Sequence, residues 1–110
     1  ASMKRRSPLP ADRAEAASQV LKALASPHRL MLACHLSSGE ETVGELAAAL
    51  GLRESTVSQH LAVMRRERLV AARRDGQSIH YSLQSEVVRD VIAALARSFC
   101  TLDPEQSARR

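Results

Sequence analysis

The side chains of this sequence with the widest chemical range are two cysteines: Cys34, inside LMLACHLSS, and Cys100, near the end of the apolar run that begins at Val87. A thiolate is a nucleophile, a soft metal ligand and a reductant, so a pair of thiols can ligate a metal or close a covalent bridge. Each can equally be packing, because cysteine is among the most buried residue types. Cys34 has apolar neighbours on nearly every side of its segment. On a helical wheel Cys100 falls outside the stripe of Val, Leu and Phe, nearer Ala96 and Arg97. Arg97 favours the thiolate there, whereas the negative end of a helix opposes it. A redox catalyst usually carries C-x-x-C, which is absent, and there is no assembled acid–base pair or glycine-rich phosphate loop. The sequence therefore does not read as an enzyme, and it calls for no cofactor.

A second set with directed chemistry lies between residues 54 and 68. On a wheel, Val57, Leu61 and Met64 share one face, while Ser55, Gln59, Ala62 and Arg66 lie roughly opposite. Such a face suits the major groove of DNA. Gln pairs bidentately with adenine, Ser and Thr bond base edges or phosphate, and Ala leaves room for a thymine methyl. Arg65 and Arg66, with Arg73 and Arg74 further on and Gln77 beside them, would set register on phosphates without reading sequence. A helical hairpin with a solvated polar face is the plainer alternative for the same residues.

These groups need elements to hold them. The segment ADRAEAASQVLKALA, residues 11 to 25, places Val20, Leu21 and Leu24 on one side of a helix. Ser26-Pro27 is a cap followed by proline at the first helical position, so a second helix starts there and runs to Gly39. Thr42 and Glu45 have capping-box spacing and open a third helix that Gly51 closes. Residues 54 to 68 form a fourth. In LVAARRDGQSIHYSL the period changes, and two short runs flank Asp75-Gly76, a tight hairpin signal. Ser85 caps a fifth helix to about Leu102 with the stripe Val87, Val88, Val91, Ile92, Leu95 and Phe99. The order α-α-α-α-β-β-α predicts a mainly α fold with one β-hairpin: a helix-turn-helix followed by a wing. The wing favours the DNA reading over the plain helical hairpin.

Composition agrees. The 110 residues are one domain's worth, with a net charge of +4 and a pI of about 9.8, which fits an anionic partner. One Tyr, one Phe and no Trp leave no stacking platform for unpaired bases, so duplex DNA is favoured over RNA or single strands. Two cysteines are too few for a secreted disulfide scaffold, no apolar run spans a bilayer, and MKRRSPLP lacks the apolar stretch of a signal peptide. A cytoplasmic protein without membrane contact is expected. Residues 1–9, with Lys4, Arg5 and Arg6, read as a flexible basic arm serving either solubility or phosphate contact. Residues 10–102 read as the DNA-binding and dimerisation domain, and residues 103–110 as a flexible tail.

The stretch LAAALGLRESTVSQHLAVMRRERLVAARRDGQSIHYSL resembles the winged-helix core of the ArsR family of bacterial repressors. Leu50, Thr56, Val57, Ser58, His60, Leu61, Leu69 and Val70, then Gly76 and Tyr81, carry the likeness, and SPHRLMLACHL looks like the family's second-helix opening. Arg53 stands where a capping Ser is common, and Arg68 where Gly is common. The resemblance implies that Thr56, Ser58 and His60 join Ser55 and Gln59 as DNA-facing residues, although the bare wheel puts His60 toward the buried flank, as a packed histidine. It implies a homodimer built largely from the first and last helices, with Val20, Leu24, Val88, Val91, Ile92, Leu95 and Phe99 as contacts. The apolar load of the fifth helix points to a twofold partner independently. Two reading helices would then meet a near-palindromic operator.

For sensing, the family's thiolate site in the third helix needs a C-x-C, where this chain has Thr42 and Gly44, and a site of Asp and His on the last helix finds only Asp90. A metal is left with Cys34 and Cys100, and His35 or a second subunit would have to complete the shell of four donors that structural zinc takes. A thiol on the second helix and another near the end of the fifth resemble the dithiol sensors of the family, the SqrR and BigR type, which respond to reactive sulfur species such as persulfides. In those repressors a polysulfide bridge releases DNA and sulfide-oxidation genes are expressed. A metal or metalloid response, a general thiol-oxidation sensor, inert thiols and a protein-interaction module without DNA binding remain as alternatives.

Overall fold

The computed structural model describes residues 8–100, the side chain of Cys100 excepted. Five helices and a small antiparallel sheet follow in the order α1 (Ala11–Leu24), α2 (Pro27–Leu36), β1 (Glu41–Thr42), α3 (Val43–Leu50), α4 (Glu54–Arg66), β2 (Val70–Asp75), β3 (Ser78–Leu83) and α5 (Glu86–Leu95), and a π-helical turn, Ala96–Cys100, continues α5. This is the expected winged helix-turn-helix, mainly α with a β-hairpin. The expected arm residues Lys4, Arg5 and Arg6, Leu102 and the tail lie outside the described residues.

Local chemistry explains the boundaries. The Ser26 hydroxyl accepts the Arg29 amide at 3.3 Å, with Pro27 in the first turn of α2. Thr42 and Glu45 close a reciprocal capping box, the Glu45 amide donating to Thr42 Oγ1 at 3.1 Å and the Thr42 amide to Glu45 Oε1 at 2.8 Å. Gly51 (φ 68°) ends α3 in the left-handed region, and the Leu52 amide reaches back to the Ala47 carbonyl at 3.0 Å. In the hairpin Asp75 pairs with Ser78, so Gly76 and Gln77 are the two-residue turn, and Gly76 (φ 64°) supplies the positive φ at its first position.

Four boundaries depart from the sequence expectation. The second helix stops at Leu36 instead of running to Gly39. Residues 41–42 form a strand that pairs with β3, Glu41 opposite Tyr81 and Thr42 opposite His80, so the hairpin is part of a three-stranded sheet of order β1-β3-β2. Two residues are too few to show alternation, and Thr42 was already claimed by the helix cap. The fourth helix ends at Arg66, because Arg68 adopts φ 62°, its amide donating to the Arg65 carbonyl at 3.0 Å and the Leu69 amide to Met64 at 2.8 Å. That pair of bonds is a Schellman close. The α-helical part of α5 ends at Leu95. Beyond it the backbone continues as the wider π turn.

The core lies where α2, α4 and α5 meet the sheet: Leu32, Leu36, Leu46, Val57, Leu61, Met64 and Val88 have essentially no exposed surface, and Leu69, Val70 and Leu83 bring the hairpin onto it. Leu61 and Met64 thereby anchor the buried side of α4 and leave its other side outward.

Candidate DNA-reading surface and thiol cleft

Val57, Leu61 and Met64 are fully buried, and Ser55, Ser58, Gln59, Ala62, Arg65 and Arg66 are exposed on α4, with Thr56 half-buried. Sequence periodicity and structure agree on which side of this helix meets water. The outward side holds hydroxyls, an amide, a small apolar surface and two guanidiniums, which is a set that can read base edges and grip phosphate.

His60 does not join that side. It is half-buried, and its Nδ1 lies 3.2 Å from Arg29 Nη1. A guanidinium only donates, so Nδ1 is the acceptor and the ring proton sits on Nε2. The same Arg29 donates from Nε to the Ala23 carbonyl, and the His28 ring packs edge-on to His60 at 5.4 Å. Burial, then the charge of Arg29 and then His28 hold the His60 pKa below its ordinary value. The expected base-facing histidine is thus, by its geometry, a packing group that fastens α4 to the end of α1 and the start of α2. The reason is steric: it lies one residue from Leu61, on the flank that turns inward.

On the wing, Arg73, Arg74 and Gln77 are exposed. Arg73 is nevertheless occupied: its Nη2 donates to Glu40 Oε1 at 2.7 Å and its Nε to Oε2 at 3.1 Å. This forked contact holds the Glu40 carboxyl below the usual carboxylate range and raises the Arg73 guanidinium. Arg73 ties the wing to the segment before β1. Sequence reasoning missed Glu40 because its partner lies in a distant strand, and missed Arg29 because nothing in SPHRL marks it as reaching α4.

Cys34 is half-buried and lines an apolar cleft of about 540 Å³ between α2 and α5. Leu30 and Met31 lie along one wall, Ile92 and Leu95 along the other, and Phe99 of the π turn closes one side, with His35 also in the lining. The backbone of Cys100 belongs to that same turn, whereas its side chain lies outside the described residues. Among the described residues no group of three His, Cys, Asp or Glu side chains could hold a metal ion.

The expected dimer contacts divide. Leu24, Val88 and Ile92 are at most 5% exposed and belong to the protomer's own core, which corrects their placement on a partner-facing stripe. Val20, Val91 and Leu95 are half-buried, and Phe99 is 74% exposed. Leu21, Met31 and Val87 add further exposed apolar surface.

A helix pair that presents a polar reading side, backed by a β wing, defines a winged helix-turn-helix DNA-binding protein. Comparison with known proteins narrows this. Residues 26–72 match the arsR family of bacterial regulatory proteins. The chain is 45% identical to the biofilm growth-associated repressor of Agrobacterium fabrum, over 91% of this chain and 86% of that protein. It is 43% identical to the transcriptional activator HlyU of Vibrio cholerae, over 74% of this chain and 75% of that one. Among solved structures, HlyU from Vibrio cholerae superposes with a TM-score of 0.79 at 40% identity, covering 83% of this chain and 99% of that chain. The repressor BigR from Xylella fastidiosa gives 0.77 at 39% identity, covering 81% and 91%. The chain belongs to the ArsR family of DNA-binding transcriptional regulators, a family of non-enzymes. Among the described residues no helix is long and apolar enough to cross a membrane.

Proposed function

We propose that this protein is a cytoplasmic, homodimeric transcriptional repressor that binds double-stranded operator DNA through α4 and the wing, and releases it when Cys34 and Cys100 are bridged by reactive sulfur species. The genes released are those of sulfide detoxification. The observation that carries the reading is the position of Cys34 in the cleft between α2 and α5, facing the helix whose continuation bears Cys100. Similarity to a protein named as a biofilm growth-associated repressor supports the direction of regulation.

The chemistry balances with a low-molecular-weight persulfide as oxidant. One thiolate takes the outer sulfur of a first persulfide and releases its thiol. The new protein persulfide attacks a second persulfide, expelling hydrogen sulfide and leaving a mixed trisulfide. The other cysteine then displaces the remaining thiol. Two cysteines and two persulfides give one trisulfide bridge, two thiols and one hydrogen sulfide. A direct disulfide demands Cα atoms within about 7 Å, and each inserted sulfur extends that reach by roughly 2 Å. Thiols held too far apart for a disulfide would therefore resist peroxide and still accept a longer bridge. Tying α2 to α5 repacks the elements that carry α4, and each tenfold loss of operator affinity requires a difference of about 1.4 kcal/mol between the two states.

Mass spectrometry after treatment with glutathione persulfide tests this directly, alongside a gel shift on the regulator's own promoter fragment. A mass gain on a cross-linked Cys34–Cys100 peptide pair, with loss of the DNA complex, is the expected result. Release of DNA by a Cys34→Ser variant on persulfide treatment would sink the dithiol switch.

A further inference from the structure

Between α4 and β3 lies a second cleft, of about 420 Å³, lined by Ser58, Leu61, Ala62, Arg65, Arg66 and Tyr81. We infer that this cleft seats one backbone phosphate of duplex DNA, with Tyr81 as its neutral hydrogen-bond donor beside the charges of Arg65 and Arg66. The inference rests on the DNA-binding reading above and assigns the residues that grip the backbone.

Charge bookkeeping across the arginines points to this place. Arg73 of the wing is forked onto Glu40, and Arg29 is engaged by Ala23 and His60. The side chains of Arg65 and Arg66 carry no hydrogen bond or ion pair to any described residue, and the lining of the cleft holds no carboxylate. Two unengaged guanidiniums on one wall therefore face a tyrosine on the other.

Tyr81 is built to hold its place. It lies in the central strand, paired with Glu41 on one side and Ala72 on the other, so its backbone is fixed from both edges. Its ring packs partly against the core cluster, and the hydroxyl is the only polar atom that the side chain can offer to the cleft. The floor is the fully buried Leu61, on the same helix as the exposed Ser58, Gln59 and Ala62. A helix whose polar side enters the major groove brings its last-turn arginines against the flanking backbone, where the strand stands as the opposite jaw.

The test uses the full chain and fluorescence anisotropy on a labelled random-sequence duplex of about 30 base pairs, since phosphate contacts carry no sequence information. Affinity is measured between about 50 and 200 mM salt for wild type, Tyr81→Phe, Arg66→Gln and the double variant. Tyr81→Phe keeps the ring and is expected to weaken binding three- to tenfold at every salt concentration with an unchanged salt slope, because a neutral hydroxyl displaces no counterion. Arg66→Gln is expected to reduce the slope by about 0.9 for each cleft engaged. The double variant should lose less than the product of the single losses, because both groups serve one phosphate. Wild-type affinity in Tyr81→Phe, or strictly multiplicative losses in the double variant, would overturn the cleft assignment while leaving DNA binding intact. A wild-type protein that binds no duplex at any salt concentration would instead remove the functional reading itself. Unfolding midpoints for each variant keep a folding defect from passing as a lost contact.

Discussion

At the scale of single residues, His60 shows how a side chain that looks like a reading group becomes a structural one. Its Nδ1 accepts from Arg29, so the native protein holds the ring neutral, with its pKa depressed first by burial and then by Arg29 and His28. The unfolded chain binds a proton near the ordinary value of 6.5, before the native one does. The contribution of the ring is therefore complete above that pH and is lost as the pH falls from it towards the depressed native value. Wild-type unfolding midpoints should drop below about pH 6.5 more steeply than those of His60→Gln, whose side-chain oxygen still accepts from Arg29; parallel curves down to about pH 5 would exclude His60 as the titrating group. Arg68 makes the opposite case, a residue legible as unusual from sequence and now explained. It holds φ 62° at the closing position of α4, where a side chain is disfavoured. Arg68→Gly should raise stability by up to about 1 kcal/mol in denaturant unfolding.

At the scale of elements, the caps were readable because each depends on residues three or four apart. Ser26-Pro27 starts α2 and Thr42 with Glu45 starts α3, as the spacing predicts. The start of α4 is the exception: Arg53 sits at its cap and gives no side-chain hydrogen bond. Arg53→Ser should stabilise the protein by about 0.5–1 kcal/mol in the same denaturant assay, and a destabilised variant would show that Arg53 has another role. The strand β1 was not legible, since two residues cannot display a period and acquire their identity only by pairing with Tyr81 and His80. Nor was the π turn after Leu95, because no residue in ARSFC breaks an α-helix by its own propensity. That turn matters for the thiol reading, as it sets the backbone from which Cys100 departs.

At the scale of the whole molecule, apolar surface is left over. Leu21, Val87 and Phe99 are 57%, 55% and 74% exposed, on α1, α5 and the π turn, the elements expected to meet a twofold partner. Phe99→Glu places a charge on a side chain that the protomer itself barely covers, so the fold seen by circular dichroism should persist. Sedimentation should then show the dimer dissociation constant raised at least tenfold, and affinity for a palindromic operator should fall with it as the second half-site contact is lost. Unchanged sedimentation would place the interface elsewhere.

Period, caps and turn chemistry are local, and they are what the sequence by itself determined: a run of helices, a hairpin at Asp75-Gly76, and on α4 one buried and one polar side. The tertiary structure decided which of those side chains remain available. It brought Glu40 to Arg73, Arg29 to His60, and Tyr81 to the wall facing Arg65 and Arg66, and it drew Leu24, Val88 and Ile92 into the protomer's own core. These contacts join positions far apart along the chain, and their geometry follows from how the elements pack around Leu61 and Met64 rather than from any spacing within one element.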